Sequence, residues 1–184
     1  MYHIKDDKRT QHSAQLIVTG TNACLARQSL DDITVANILD ASTVGRATFY
    51  RLFDSIIDVL AFECDQLFAT MGQRKVTNLH AWLLENIRYF MAHDLLLETL
   101  VNNHQLQLFS DAQYREIQTV PELITVVPAA QRDFFLNHLT YLMVGTLATW
   151  IKHQKRESAE ELWNSLSATV TLLTKIMVSK PSSL

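Results

Sequence analysis

The stretch Ile33-Thr-Val-Ala-Asn-Ile-Leu-Asp-Ala-Ser-Thr-Val-Gly-Arg-Ala-Thr-Phe-Tyr-Arg-Leu-Phe53 decides the fold. It holds two short segments with helical apolar spacing, at about 34–41 and 45–53, joined by a tight turn. Val35, Ile38, Val44, Phe49 and Phe53 are spaced to pack both segments on a third helix. That layout is a helix-turn-helix, whose second helix enters the DNA major groove with its N-terminal end toward the bases.

The third helix lies just upstream. Residues 10–27 place Ala14, Ile17, Val18, Thr21, Cys24 and Leu25 on one face. Ser29-Leu-Asp-Asp32 then breaks the pattern, because short polar side chains compete for backbone hydrogen bonds. Downstream, Ser55-Ile-Ile-Asp58 resembles a capping box and opens a fourth helix with Ile57, Leu60, Cys64, Leu67 and Met71 as its core face.

With these residues in place, the chain resembles the tetracycline-repressor-like (TetR-like) transcriptional regulators. Their motif runs Thr-Val-x-x-Ile, a turn, and a recognition helix ending Thr-Leu/aromatic-Tyr-x-x-Phe, matched by Thr34 to Ile38 and Thr48-Phe-Tyr-Arg-Leu-Phe53. The likeness covers roughly the first third of the chain. It implies that Thr34, Thr48 and Tyr50 contact DNA phosphates, while Val44, Gly45, Arg46 and Ala47 lie near base edges. Arg46 is the candidate base reader, since a guanidinium pairs bidentately with guanine; Arg51 is placed on the backbone. Where the family has Ala-x-x-Ala-Gly, this chain has Leu39-Asp-Ala-Ser42-Thr43, so bulkier residues replace the small ones that let the two helices approach. A β-branched Thr43 held at positive φ would carry strain on the order of 1–3 kcal/mol. Gly45 stands where Ser or Thr commonly caps the recognition helix, and glycine is a tolerable cap.

Composition agrees with a helical chain. Of 184 residues, 48% are hydrophobic, with only 4 Gly and 3 Pro, well below average usage of about 7% and 5%. The net charge of −3 argues against non-specific coating of nucleic acid. Within residues 1–60, Lys5, Lys8, Arg9, Arg27, Arg46 and Arg51 face Asp6, Asp7, Asp31, Asp32, Asp40, Asp54 and Asp58, so DNA affinity must come from placement. Cys24 and Cys64 sit in apolar helical patterns far apart and read as reduced core residues of a cytoplasmic protein. The start is too polar for a secretory signal, and the apolar run 139–151 is short of the roughly 20 residues of a membrane span, so no membrane is expected. His80, His93, His104 and His138 lack ligand spacing on any one helix, so neither metal nor cofactor is expected. Nothing pairs a nucleophile with a base or forms a phosphate loop, so an enzyme is not expected.

Beyond the polar junction 72–78, helices are expected at 79–93, 95–109 and 111–118, the last capped by Ser110 with Gln113. Val120-Pro121 to Val127-Pro128 reads as an extended connector. A long helix over 129–156 carries two apolar stripes: Phe135, Leu139, Leu142, Thr146 and Thr149, and Leu136, Thr140, Met143, Leu147 and Trp150. Ser158-Ala-Glu-Glu161 caps a last helix to about 179, offering Leu162, Leu166, Thr169, Val170, Leu173 and Met177, before a loose tail. Helices apolar on two sides need two covers. The resemblance implies that these two pair with their copies as a four-helix bundle, with Phe135, Leu139, Leu142, Thr146, Thr149, Leu166, Val170 and Leu173 at the interface. It also implies a small-molecule effector between the bundle and the N-terminal helices, near Trp82, Phe90, His93, His104, Tyr114 and Trp150, although core packing accounts for each of these equally simply.

The expectation is an all-α chain of nine helices: a three-helix DNA-binding domain over 1–54 and a helical regulatory and dimerisation domain over 55–184. The function implied is an effector-controlled repressor, homodimeric on palindromic double-stranded DNA. A co-regulator that has lost DNA recognition is the alternative, motivated by the acidic balance and the altered turn.

Overall fold

The computed structural model describes residues 1–73 and 78–178. Most of the junction 72–78 and all of the tail 179–184 lie outside the described residues. Among the described residues there are ten α-helices and no strand, only an isolated antiparallel bridge between Tyr2 and Phe53.

Helix α1, Lys8–Leu25, starts two residues ahead of the expected position because the Asp7 carboxylate accepts the Thr10 amide at 2.9 Å. Its buried face is the expected one with Gly20 added. The irregular segment after it contains a 3₁₀ turn, Leu30–Asp32, that buries Leu30. Helix α2, Val35–Ser42, opens with a capping box: the Thr34 hydroxyl accepts the Asn37 amide, and the Asn37 side chain accepts the Thr34 amide. Helix α3, Arg46–Leu52, follows a turn in which Thr43 is left-handed at φ 58°, ψ 20°. The expected strain is therefore present, of order 1–2 kcal/mol for a non-glycine residue.

Gly20 on α1 allows a close crossing with α2: a Cβ added there would sit 2.7 Å from the Ser42 Cβ, 2.9 Å from its backbone nitrogen and 3.1 Å from the Ile38 oxygen.

Helix α4, Ile56–Gly72, buries Val59, Leu60, Phe62, Cys64, Leu67, Phe68 and Met71, while Ile57 is only half-buried. Ser55 accepts the Asp58 amide at 3.3 Å as expected. The reciprocal bond of a capping box is missing: the Asp58 carboxylate accepts the Ser55 hydroxyl and faces the Met1 ammonium at 2.7 Å.

Helices α5, Leu79–Met91, α6, Asp94–Asn102, and α7, Leu106–Ile117, replace the expected 79–93, 95–109 and 111–118. Asn78 caps α5 by accepting the Ala81 amide. Ser110 is buried inside α7 and its hydroxyl donates to the Gln107 carbonyl, so it caps nothing. The break falls instead at His104, with φ 56°. The expected extended connector contains one turn of helix α8, Pro121–Ile124, with Pro121 at its first position, where the missing N–H costs nothing. That turn is the tenth helix. Helix α9, Arg132–Lys152, follows a 3₁₀ turn over Ala129–Gln131, and α10 spans Ala159–Val178 behind the expected Ser158/Glu161 capping box.

Phe68, Phe90 and Phe109 stack with centroids 4.6 to 5.0 Å apart at the junction of α4, α5 and α7. The main core runs across the boundary expected at residue 54, from Ile17 and Phe53 through Val59 to Leu147. By length and composition alone, Ala129–Lys152 could cross a membrane, contrary to expectation. Its stripe Leu136, Thr140, Met143, Leu147 and Trp150 is buried within the fold.

Gly20→Ala is expected to lower stability by about 1–2 kcal/mol, the overpacking cost exceeding the helix-propensity gain. Urea unfolding checks this; an unchanged midpoint would mean the helices part freely at that crossing.

Candidate nucleic-acid interface

Phe49, Leu52 and Phe53 are buried to 1% exposure or less and anchor α3, leaving its opposite face outside. On that face Gly45, Arg46, Ala47, Tyr50 and Arg51 are exposed and Thr48 is half-exposed. Val44 packs against the core. Gly45 begins α3 with extended backbone and no capping side chain. Thr34 is exposed at the start of α2, but its hydroxyl is already engaged, donating to the Asn37 carbonyl oxygen at 2.6 Å. Asn37, which sequence reasoning passed over, fixes the orientation of that hydroxyl.

Charge is sorted by placement. Asp54 accepts the Met1 ammonium at 3.0 Å and His3 at 3.1 Å, and these bonds hold its carboxyl below the usual range. Asp7 is likewise lowered by its bonds to Thr10. Asp32 accepts the Ser29 hydroxyl. Among the described residues no acid lies in ion-pair contact with Lys5, Lys8, Arg9, Arg27, Arg46 or Arg51. Of the seven acids in residues 1–60, Asp7, Asp32, Asp54 and Asp58 are held in caps, turns or ion pairs, while none of the six bases makes an ion pair among the described residues.

Behind the motif, α4 joins the N-terminal helices to the rest. Glu63 on α4 is 8% exposed and accepts the Asn22 amide of α1 at 2.7 Å. Burial raises its carboxyl above the ordinary range, and the Asn22 bond opposes this in part. The second Glu63 oxygen and the Asn22 Oδ1 are both buried without partners, so a proton on Glu63 supplies the donor the pair lacks.

A narrow cavity of about 20 Å³, room for roughly one water, lies between α4, α5, α7 and α9. Of the residues named for an effector, Trp82 and Phe90 line it. His93 is half-buried, its Nδ1 2.8 Å from the Tyr89 carbonyl; His104 is exposed in the α6–α7 turn. Tyr114 packs on a second cluster around Ile117 and Leu136, and Trp150 is buried with its indole N–H on the Glu157 carbonyl at 3.1 Å. None of these four lines the cavity. Met71, Asn86, Gln113, Glu116 and Met143 do, together with Leu139 of the expected interface. The Trp82 Nε1 and Gln113 Oε1 atoms are buried without partners. Sequence spacing could not have found Gln113, because a lone glutamine carries no signal until burial isolates it.

The named interface residues divide by height along α9 and α10. Phe135 and Leu139 are half-buried and pack against the second cluster. Leu142, Thr146, Thr149 and Leu166 line an α9–α10 groove, and Val170 and Leu173 are exposed. Phe134, Tyr141, Leu172, Ile176 and Met177 are also exposed large hydrophobics. Among the described residues no cluster of three His, Cys, Asp or Glu side chains could hold a metal.

No family model matches the chain, and no curated protein matches it. Solved structures do. A TetR transcriptional regulator of Streptococcus agalactiae is 21% identical, with a TM-score of 0.63 over 89% of this chain and 96% of its own. A Listeria innocua protein is 18% identical, with a TM-score of 0.74 over 93% of this chain and 96% of its own. A Streptomyces coelicolor regulator of the TetR family is 17% identical, with a TM-score of 0.56 over 92% and 93%. The class the architecture defines is all-helical with an N-terminal helix-turn-helix. The chain has a TetR-like fold.

The neutral form of Glu63 is the one the fold favours, so its contribution to stability is present below the ordinary glutamate range and lost as pH rises through the raised value. Glu63→Gln is expected to be more stable than wild type at neutral pH and to converge on it in acid. Thermal melts across pH check this; an offset independent of pH would assign the titration elsewhere.

Proposed function

We propose that the protein is a DNA-binding transcriptional regulator, a repressor acting in the cytoplasm as a homodimer on palindromic duplex DNA and released by a small-molecule effector. The observation that carries the proposal is α3 itself: held from behind by Phe49, Leu52 and Phe53, it presents Arg46 outward with no acidic partner among the described residues. A guanidinium so placed is free to pair with a guanine edge.

Homodimerisation is supported by α10, where Leu172, Leu173, Ile176, Met177 and Val178 are 47% to 83% exposed. An apolar face of that kind marks an interaction surface. A twofold pairing would set the two copies of α3 about 34–36 Å apart, or further, and so select a palindrome. Effector control is supported by the cavity with its two orphaned polar atoms. A ligand larger than a water must spread the helices around it, including α4, and would shift the population toward one spacing of the two recognition helices.

Selection from random duplexes at two salt concentrations tests the reading. An enriched palindrome is the expected result; no enrichment at low salt would favour a co-regulator acting through protein contacts. Arg46→Ala is expected to lose about 1–3 kcal/mol of discrimination at one base position, read from the selected sequences. Leu173→Glu, which puts a charge into the α10 face, is expected to yield monomers in analytical ultracentrifugation and to abolish tight operator binding. A dimer that survives this change would move the interface off α10.

A further inference from the structure

We propose that residues 1–7 form a DNA-contacting arm, in which Lys5, with Arg9 of the first turn of α1, joins Arg51 as a second set of phosphate contacts beside the recognition helix, and that Tyr2 is the positioning residue that clamps the arm. The proposal rests on the DNA-binding reading above and adds a surface that the helix-turn-helix motif does not contain.

The arm is built into the fold. Tyr2 bridges Phe53, and the His3 amide donates to the Leu52 carbonyl at 2.8 Å, tying the arm to the last turn of α3. Ile4 packs on the main core, and the Lys5 carbonyl accepts the Asp7 amide at 2.9 Å to turn the chain into α1. The Tyr2 ring meets Phe62 edge-on at 5.3 Å. Its hydroxyl donates to Asp65 on α4 at 2.5 Å, and the other Asp65 oxygen accepts Arg115 of α7 at 2.6 Å. Burial and the Asp65 bond push the Tyr2 hydroxyl up to about 12, so it stays a donor at every working pH. Arg115 shares α7 with Gln113 and Glu116 of the cavity, so the arm is clamped to the helix on which the proposed effector acts.

Between the arm, the first turn of α1 and the end of α3 runs an open groove of about 400 Å³ lined by Lys5, Arg9 and Arg51. His3 and Asp7 also border it, but His3 faces Asp54 and Asp7 is held by the Thr10 amide. Among the described residues none of the three cations makes an ion pair, although Asp7 is near enough for Lys5 to help lower its carboxyl. Three cations against this one carboxylate leave the groove net positive, which suits an anion. Arg51 belongs both to the groove and to the exposed side of α3 that carries Arg46, so the polyanion it fits is the sugar-phosphate backbone of the same duplex.

Each cation that neutralises a phosphate contributes about 0.9 to the slope of log affinity against log salt. The test uses the full-length protein and the duplex it selects, with fluorescence anisotropy over a salt series. Lys5→Ala/Arg9→Ala is expected to weaken binding to all duplexes alike and to reduce the slope by about 2–4 for a dimer, with the preferred sequence unchanged. Tyr2→Phe keeps the ring contact and loses only the hydroxyl; it is expected to weaken binding several-fold, again without changing the preferred sequence. Adding Arg115→Gln to Tyr2→Phe is expected to weaken binding no further. An unchanged salt slope in Lys5→Ala/Arg9→Ala, with Arg46→Ala still altering base preference, overturns the arm and leaves the regulator reading intact. Wild-type protein that binds no duplex at low salt overturns both.

Discussion

Where Gly20 meets Ser42, α1 and α2 cross with no room for another side chain, and the placement of the exposed face of α3 follows from that crossing. A side chain at Gly20 would push α2 outward, and α3, joined to α2 by a short turn, would move with it. The crossing is rigid because the nearest atoms, the Ser42 Cβ and nitrogen and the Ile38 oxygen, have no rotamers to yield. It also tolerates a strained link: Thr43 stays left-handed because packing on both sides of the turn over-determines it. From there Phe49 and Phe53 fix the rotation of α3, and the exposure of Arg46 is a consequence.

Electrostatics are arranged on that frame by position rather than by number. A chain of net charge −3 presents cations without ion-pair partners at one end while several nearby carboxylates are held in structure: Asp7 and Asp32 on turns and caps, Asp54 and Asp58 on the N-terminal residues. Capping and pairing hold these carboxylates beside their own donors. A count of residues 1–60 sees none of this.

The other end of the molecule is held differently. Gln154 and Lys155 both adopt positive φ in the α9–α10 turn, and the Lys155 ammonium lies 2.8 Å from Asp94 and 2.6 Å from Glu98 on α6. Trp150 fastens the same turn through the Glu157 carbonyl. These bonds fix the turn from which α10 departs, and its C-terminal half carries exposed apolar side chains. Between the two ends, α4 and α7 are the shared elements: both line the cavity, α4 holds the Glu63–Asn22 contact to α1, and α7 holds Asp65 through Arg115.

Much of this was legible in the residues. The apolar periods of α1 to α4, the helix-turn-helix spacing, the Ser158/Glu161 cap and the two stripes of α9 are local patterns, and local patterns survive into the fold when burial agrees with them. The segments misread were those where a polar side chain had two possible roles: Ser110 as a cap or a buried helix residue, Pro121 as a breaker or a first-turn residue. Sequence alone determined that the chain is helical and that Arg46 sits on the second helix of a helix-turn-helix, because helix periodicity and motif spacing are properties of neighbours. Only the tertiary structure decided that Gly20 sets a close crossing with α2, that Asp7, Asp32, Asp54 and Asp58 are held while the nearby bases make no ion pair among the described residues, and that Tyr2, Asp65 and Arg115 meet. Those depend on groups tens of residues apart, whose contact no local pattern encodes.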